Sequence, residues 1–127
     1  MHTTPLYAGL LGLMLVALSI RVIGQRKRAK VALGDGGDKL LQRAIRAHAN
    51  FVEFAPMALL LIALAEWQGS PAWLVHIMGA ALVLGRALHG WGIAQEPERF
   101  VFRQSGMLLT FGVIIVAALA CMAGWLM

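Results

Sequence analysis

Four apolar runs, each about as long as a helix needs to be to cross a bilayer, follow one another along the 127 residues. A membrane-spanning helix takes about 20 predominantly apolar residues, and helices are expected over about residues 5–23, 39–68, 71–93 and 100–126. Composition points the same way. The chain is 60% hydrophobic and 13% charged, against about 45–50% and about 25% for soluble domains. A small chain has too much surface for its volume to hide that apolar excess inside itself. The expected class is therefore all-α, a single-domain integral membrane four-helix bundle, which excludes disorder, a coiled coil and an ordinary soluble enzyme. One cysteine, Cys121, allows no intrachain disulfide and no cysteine-based metal site, and no metal is expected. A net charge of +5 would suggest nucleic acid in a soluble protein. Here the basic residues flank apolar spans, so orientation and contact with the lipid bilayer account for them and no nucleic acid is expected.

The connections carry the turn chemistry. Gly24 and Gln25 are expected to end the first helix, ahead of the basic cluster Arg26–Lys30. With no Lys or Arg before it and the positive charge after it, the first run reads as a retained span and not as a signal peptide. Gly34-Asp35-Gly36-Gly37 reads as a turn; no strand flanks it and no Gly-Lys-Ser/Thr ending makes it a phosphate loop. Asp38 is placed to cap the second helix, Pro56 to kink it, and Ser70-Pro71 to open the third as cap and first residue. Gly106 and Gly112 are candidate close-packing points in the fourth, and Trp67, Trp73, Trp91 and Trp125 are expected in the interfacial belts. Lys and Arg outside the spans concentrate in the first and third connections. Those loops are expected to be cytoplasmic, with both termini outside.

Ionisable residues inside spans are costly enough to be functional candidates. In the second helix Arg43, Arg46, Asn50 and Glu53 recur at steps of three and four, which confines them to an arc of roughly 80° over about 15 Å. His48 lies roughly 140° from Arg43 on the same wheel and is expected at an interface or toward lipid. In the third helix Arg86 and His89 share a face. Counted from the turn between the two helices, Glu53 and Arg86 lie about 21 and 22 Å inward, Asn50 and His89 about 25 and 27 Å. Arg103, at the start of the fourth helix, ends near the same level. Two readings stand side by side. Arg43 and Arg46 reach lipid phosphates while Glu53 and Arg86 pair to set helix register; or four guanidiniums facing one carboxylate, Glu53, await an anionic ligand, which arginine grips through paired hydrogen bonds.

At these residues the chain resembles the MAPEG family, the membrane-associated proteins of eicosanoid and glutathione metabolism. The segment from Arg43 to Glu53 follows the family's Arg-x-x-Arg-Ala-x-x-Asn-x-x-Glu pattern, and Gly85 to His89 follows its Gly-Arg-x-x-His. The four spans and the basic first loop agree over nearly the whole chain. The resemblance implies a short bacterial-type member of a cell inner membrane. It further implies a homotrimer that binds glutathione between neighbouring subunits near the cytoplasmic side and acts as a glutathione transferase or peroxidase on a lipophilic second substrate. It assigns Arg46, Asn50, Glu53 and His89 to glutathione, with Arg43 and Arg86 beside them, and Arg103 to the thiolate. A thiol of pKa about 8.5 is mostly protonated at neutral pH, and a neighbouring guanidinium favours the nucleophilic thiolate. Two positions depart from the prostaglandin-synthase-like pattern: Ala49 replaces an arginine and Ile93 a tyrosine. The single tyrosine, Tyr7, lies near the outer end of the first helix, and prostaglandin or leukotriene synthesis is not expected. Which member of Arg26–Lys30 enters the pocket stays open.

Other classes make different demands. Haem ligation through His76 and His89 needs a matching pair on a second helix, where only His48 stands. A proton-coupled exporter needs a titrating carboxylate within the membrane, and Glu53 sits among arginines that hold it ionised. A lipid-binding scaffold without chemistry is the remaining alternative.

Overall fold

In the computed structural model, which describes residues 2–126, four helices alternate in direction: α1 (Thr4–Ala29), α2 (Lys39–Trp67), α3 (Ala72–Ala94) and α4 (Phe100–Leu126). All four are long and apolar enough to cross a membrane, and the protein is a multi-pass integral membrane protein. α2 is central, touching each of the others, whereas α1 and α4 do not meet among the described residues. Its buried seam reads Leu41, Ala44, Ala47, Phe51, Ala55, Ala58, Ile62 and Ala65. That is a three-and-four repeat in which alanine lets neighbouring backbones approach. Outward-facing α1 and α4 expose Leu6, Leu10, Leu13, Leu108, Ile115 and Leu119, as a lipid-facing surface requires.

The helix ends differ from expectation in instructive ways. α1 does not stop at Gly24 but continues through Arg26, Lys27 and Arg28 in its last turn, where cations complement the negative end of the helix dipole. It ends at Lys30, held left-handed at φ 56°. Gly34, Gly36 and Gly37 then take positive φ, as the turn reading required. Asp38 caps α2, accepting from the Leu41 amide at 2.9 Å. That bond and the Arg28 guanidinium hold its carboxyl below the usual range. α2 runs unbroken through Pro56. The next cap shifts by one residue: the Ser70 amide closes α2 on the Ala65 carbonyl, and Pro71 itself stands as the cap of α3, its carbonyl accepting from Leu74 at 3.0 Å. At that end of the bundle Glu66 accepts from the backbone amides of His2, Thr3 and Thr4 at 2.8–2.9 Å, an anion placed at a helix N-terminus.

α3 and α4 form the closest pair. A Cβ on Gly106 would fall on the Gly85 carbonyl oxygen and the His89 amide, so Gly106 is a close-packing point. Gly112 is not one within the chain: among the described residues, no atom beyond its own helix turn lies within 4 Å of its Cβ position. Gly85 and Gly92 supply the matching gaps on α3.

Candidate functional site

The polar end of the bundle collects the first turns of α2, the last turn of α3, the connection 95–99 and the start of α4. There a cavity of about 310 Å³ is lined by Lys39, Gln42, Arg43, Arg46, Ile93, Glu96, Glu98 and Arg103. The positive ends of two helix dipoles, those of α2 and α4, lie at this end. The negative end of α3 is answered by arginines from two other helices. Arg21 of α1 donates to the Ala94 carbonyl at 3.2 Å, and Arg43 of α2 to that of Ile93 at 3.4 Å.

The expected stripe separates into three groups. Arg43, Arg46 and Arg103 line the cavity. Arg43 Nε donates to Glu96 at 2.6 Å and Arg43 Nη1 lies 3.8 Å from Glu98. Glu98 also accepts from Arg103 Nη1 at 2.6 Å. The second group is buried. Arg86, 2% exposed, donates to Asn50 Oδ1 at 2.7 Å and to Thr110 Oγ1 at 3.1 Å, and meets Met107 Sδ at 3.2 Å. His89 is buried beside it, with its backbone against Gly106. The third group, which shares Arg46 with the first, faces outward: Arg46 Nη2 lies 3.7 Å from Glu53 Oε1, with side chains 56% and 49% exposed.

Two expectations are corrected by this geometry, and the placement of four site candidates is resolved within the single chain. Glu53 does not pair with Arg86; it pairs with Arg46 one turn away, while Arg86 turns inward to neutral acceptors on α2 and α4. Nor is Glu53 the single carboxylate facing the arginines, because Glu96 and Glu98 from the α3–α4 connection stand between Arg43 and Arg103. And Asn50, Glu53, Arg86 and His89 do not line the cavity that holds Arg43, Arg46 and Arg103. Lys39, Gln42, Glu96 and Glu98 escaped the sequence reading. Their signal was a cluster of charges at helix ends that the alternating topology brings to one end of the bundle.

Other polar residues singled out by the sequence lie away from the cavity. None of Arg26–Lys30 lines the cavity; Arg26 donates to the Gly34 carbonyl at 2.7 Å and Arg28 pairs with Asp38. His48 meets Ser19 of α1 at 3.1 Å, so it faces a neighbouring helix. Tyr7 meets His76 at 2.9 Å, near the end of the bundle opposite the cavity.

The chain matches the MAPEG family over residues 4–123. It is 40% identical over 117 residues to "Inner membrane protein YecN" from two strains of Escherichia coli, an alignment covering 92% of this chain and 88% of each relative. To the human "Microsomal glutathione S-transferase 2" it is 26% identical over 83 residues, covering 65% of this chain and 54% of that protein. With four alternating apolar helices and a family match that spans nearly their whole extent, the chain belongs to the MAPEG family.

Proposed function

We propose that this protein binds glutathione in the cationic cavity and promotes its reaction with lipophilic electrophiles or hydroperoxides, in the manner of a membrane-bound glutathione transferase or peroxidase. The observation that carries the reading is the cavity itself, where Lys39, Arg43, Arg46 and Arg103 oppose two carboxylates, Glu96 and Glu98. Its volume of about 310 Å³ falls at the lower end of the roughly 300–1,000 Å³ typical of small-ligand pockets. Glutathione brings two carboxylates, which suit the guanidinium forks of Arg43 and Arg46, and an ammonium, which suits Glu53 beside the cavity, paired with the lining residue Arg46. Asn50, Arg86 and His89 support the pocket from deeper in the bundle. Arg103 is the catalytic residue: a guanidinium beside the sulfur raises the thiolate fraction at neutral pH. The second substrate arrives from the bilayer, where an apolar molecule is concentrated.

The working unit is a homotrimer. The Arg46–Glu53 pair lies half exposed on α2, and a charged pair facing lipid is costly. A second copy covering that face shields the pair and closes the site. The membrane is an inner membrane, with the first and third connections cytoplasmic.

In detergent micelles, millimolar glutathione is expected to raise the melting temperature of a particle whose native mass corresponds to three chains. Arg46→Ala and Glu53→Gln should weaken that stabilisation. Arg103→Ala should reduce the ultraviolet thiolate absorbance of bound glutathione more than it reduces binding. A melting temperature indifferent to glutathione removes the assignment.

A further inference from the structure

The α3–α4 connection is held to the ends of both helices it joins. The Arg99 amide donates to the Gly92 carbonyl at 3.2 Å. A Cβ on Gly92 would lie 2.5 Å from the Arg103 nitrogen and 2.9 Å from the Arg99 oxygen. The five residues 95–99 are thus closed into a short loop between the two helix ends, and they carry the carboxylates of Glu96 and Glu98 that line the cavity. The two are not equivalent. Glu98, 24% exposed, spans Arg103 at 2.6 Å and Arg43 at 3.8 Å. Glu96, 43% exposed, makes one ion pair, to Arg43 Nε at 2.6 Å. A ligand carboxylate seeking the Arg43 fork therefore meets a position already filled by a carboxylate of the chain.

We propose that Glu96 is a built-in competitor for the anion position of the cavity: its carboxylate holds Arg43 in the unliganded protein and is displaced by an incoming ligand carboxylate. It thereby sets how tightly the cavity holds carboxylate ligands. Glu98 stays in place as the bracket between Arg43 and Arg103, because displacing it breaks contacts to two guanidiniums at once. Displacing Glu96 breaks one ion pair, whose carboxylate is already 43% exposed, and returns that carboxylate to water, which solvates it well. The inference rests on the glutathione reading for its natural ligand but not for its mechanism.

The test titrates the full chain in micelles with glutathione and, separately, with glutarate, a bare dicarboxylate, following heat. Glu96→Gln and Glu96→Ala are expected to bind both probes about two- to fivefold more tightly than the unaltered protein, the range an ion pair of this exposure supports. In an Arg43→Ala background the same substitutions should change nothing, since the competed position is gone. Should neither variant fold, Glu96→Asp, which keeps the charge but shortens the reach to Arg43, should also bind both probes more tightly. Equal or weaker binding by the Glu96 variants overturns the proposal; if glutathione still binds every form, the functional reading survives. Glutarate following the expected order while glutathione binds nothing removes the glutathione reading and keeps Glu96 as competitor. Binding of neither probe to any form overturns both.

Discussion

Arg86 is the residue on which three helices depend. It sits on α3, and its guanidinium reaches Asn50 on α2 and Thr110 and Met107 on α4, with no acidic partner among the described residues. A buried cation persists among neutral acceptors only if its donors are well placed, because an unpaired one would bear the full desolvation penalty. Replacing Arg86 with alanine strands the acceptors and opens a cavity, and should cost about 2–4 kcal/mol in denaturant unfolding. Arg86→Lys should recover little of this, since one ammonium cannot reproduce a planar fork. A near-neutral Arg86→Ala would mean that the three-helix junction is held by packing alone. Arg86 was visible in the sequence as an arginine inside a span, at nearly the depth of Asn50; its partners on α4 were not. Spacing within one helix sets which residues share a face, whereas Thr110 and Met107 are brought to it by the crossing of another helix.

The glycines of α4 separate local pattern from contact. Gly106 and Gly112 look alike in sequence, but six residues turn a helix by about 240°, so the two cannot face the same neighbour. Gly106→Ala drives a Cβ into the backbone of α3, which cannot yield as a side chain can. It should destabilise by about 2 kcal/mol or more. Gly112→Ala meets open space and, with alanine the better helix former, should be neutral or stabilising by up to about 1 kcal/mol. Comparing the two melting temperatures in micelles checks this, and equal effects would place the close approach elsewhere. Helix existence and approximate extent were legible because each apolar run is long and bounded by turn residues. Ends were less so. α1 runs past Gly24 because the cations beyond it favour a helix C-terminus, and α3 opens at Pro71, whose extended backbone turns its carbonyl to the Leu74 and Val75 amides.

At the scale of the molecule, alternation of four spans brings the first and third connections to one end and the 68–71 turn to the other. That end holds the basic cluster and the cavity, and it is expected to be cytoplasmic. In a Cys121→Ser background, a cysteine at Leu33 should resist a membrane-impermeant thiol reagent in intact cells and react after permeabilisation. One at Ser70 should react in intact cells. The opposite pattern inverts the orientation.

Apolar run length, basic flanks and the three-and-four spacing of Arg43, Arg46, Asn50 and Glu53 are properties of contiguous chain. From them follow a four-span helical bundle and a charged stripe on its second helix. Partnership is a property of crossing helices and of a connection folded back across them, and only the tertiary structure decided it. Arg86 went inward to Asn50, Glu53 stayed outward with Arg46, and the carboxylates that answer Arg43 and Arg103 came from a connection that periodicity does not reach.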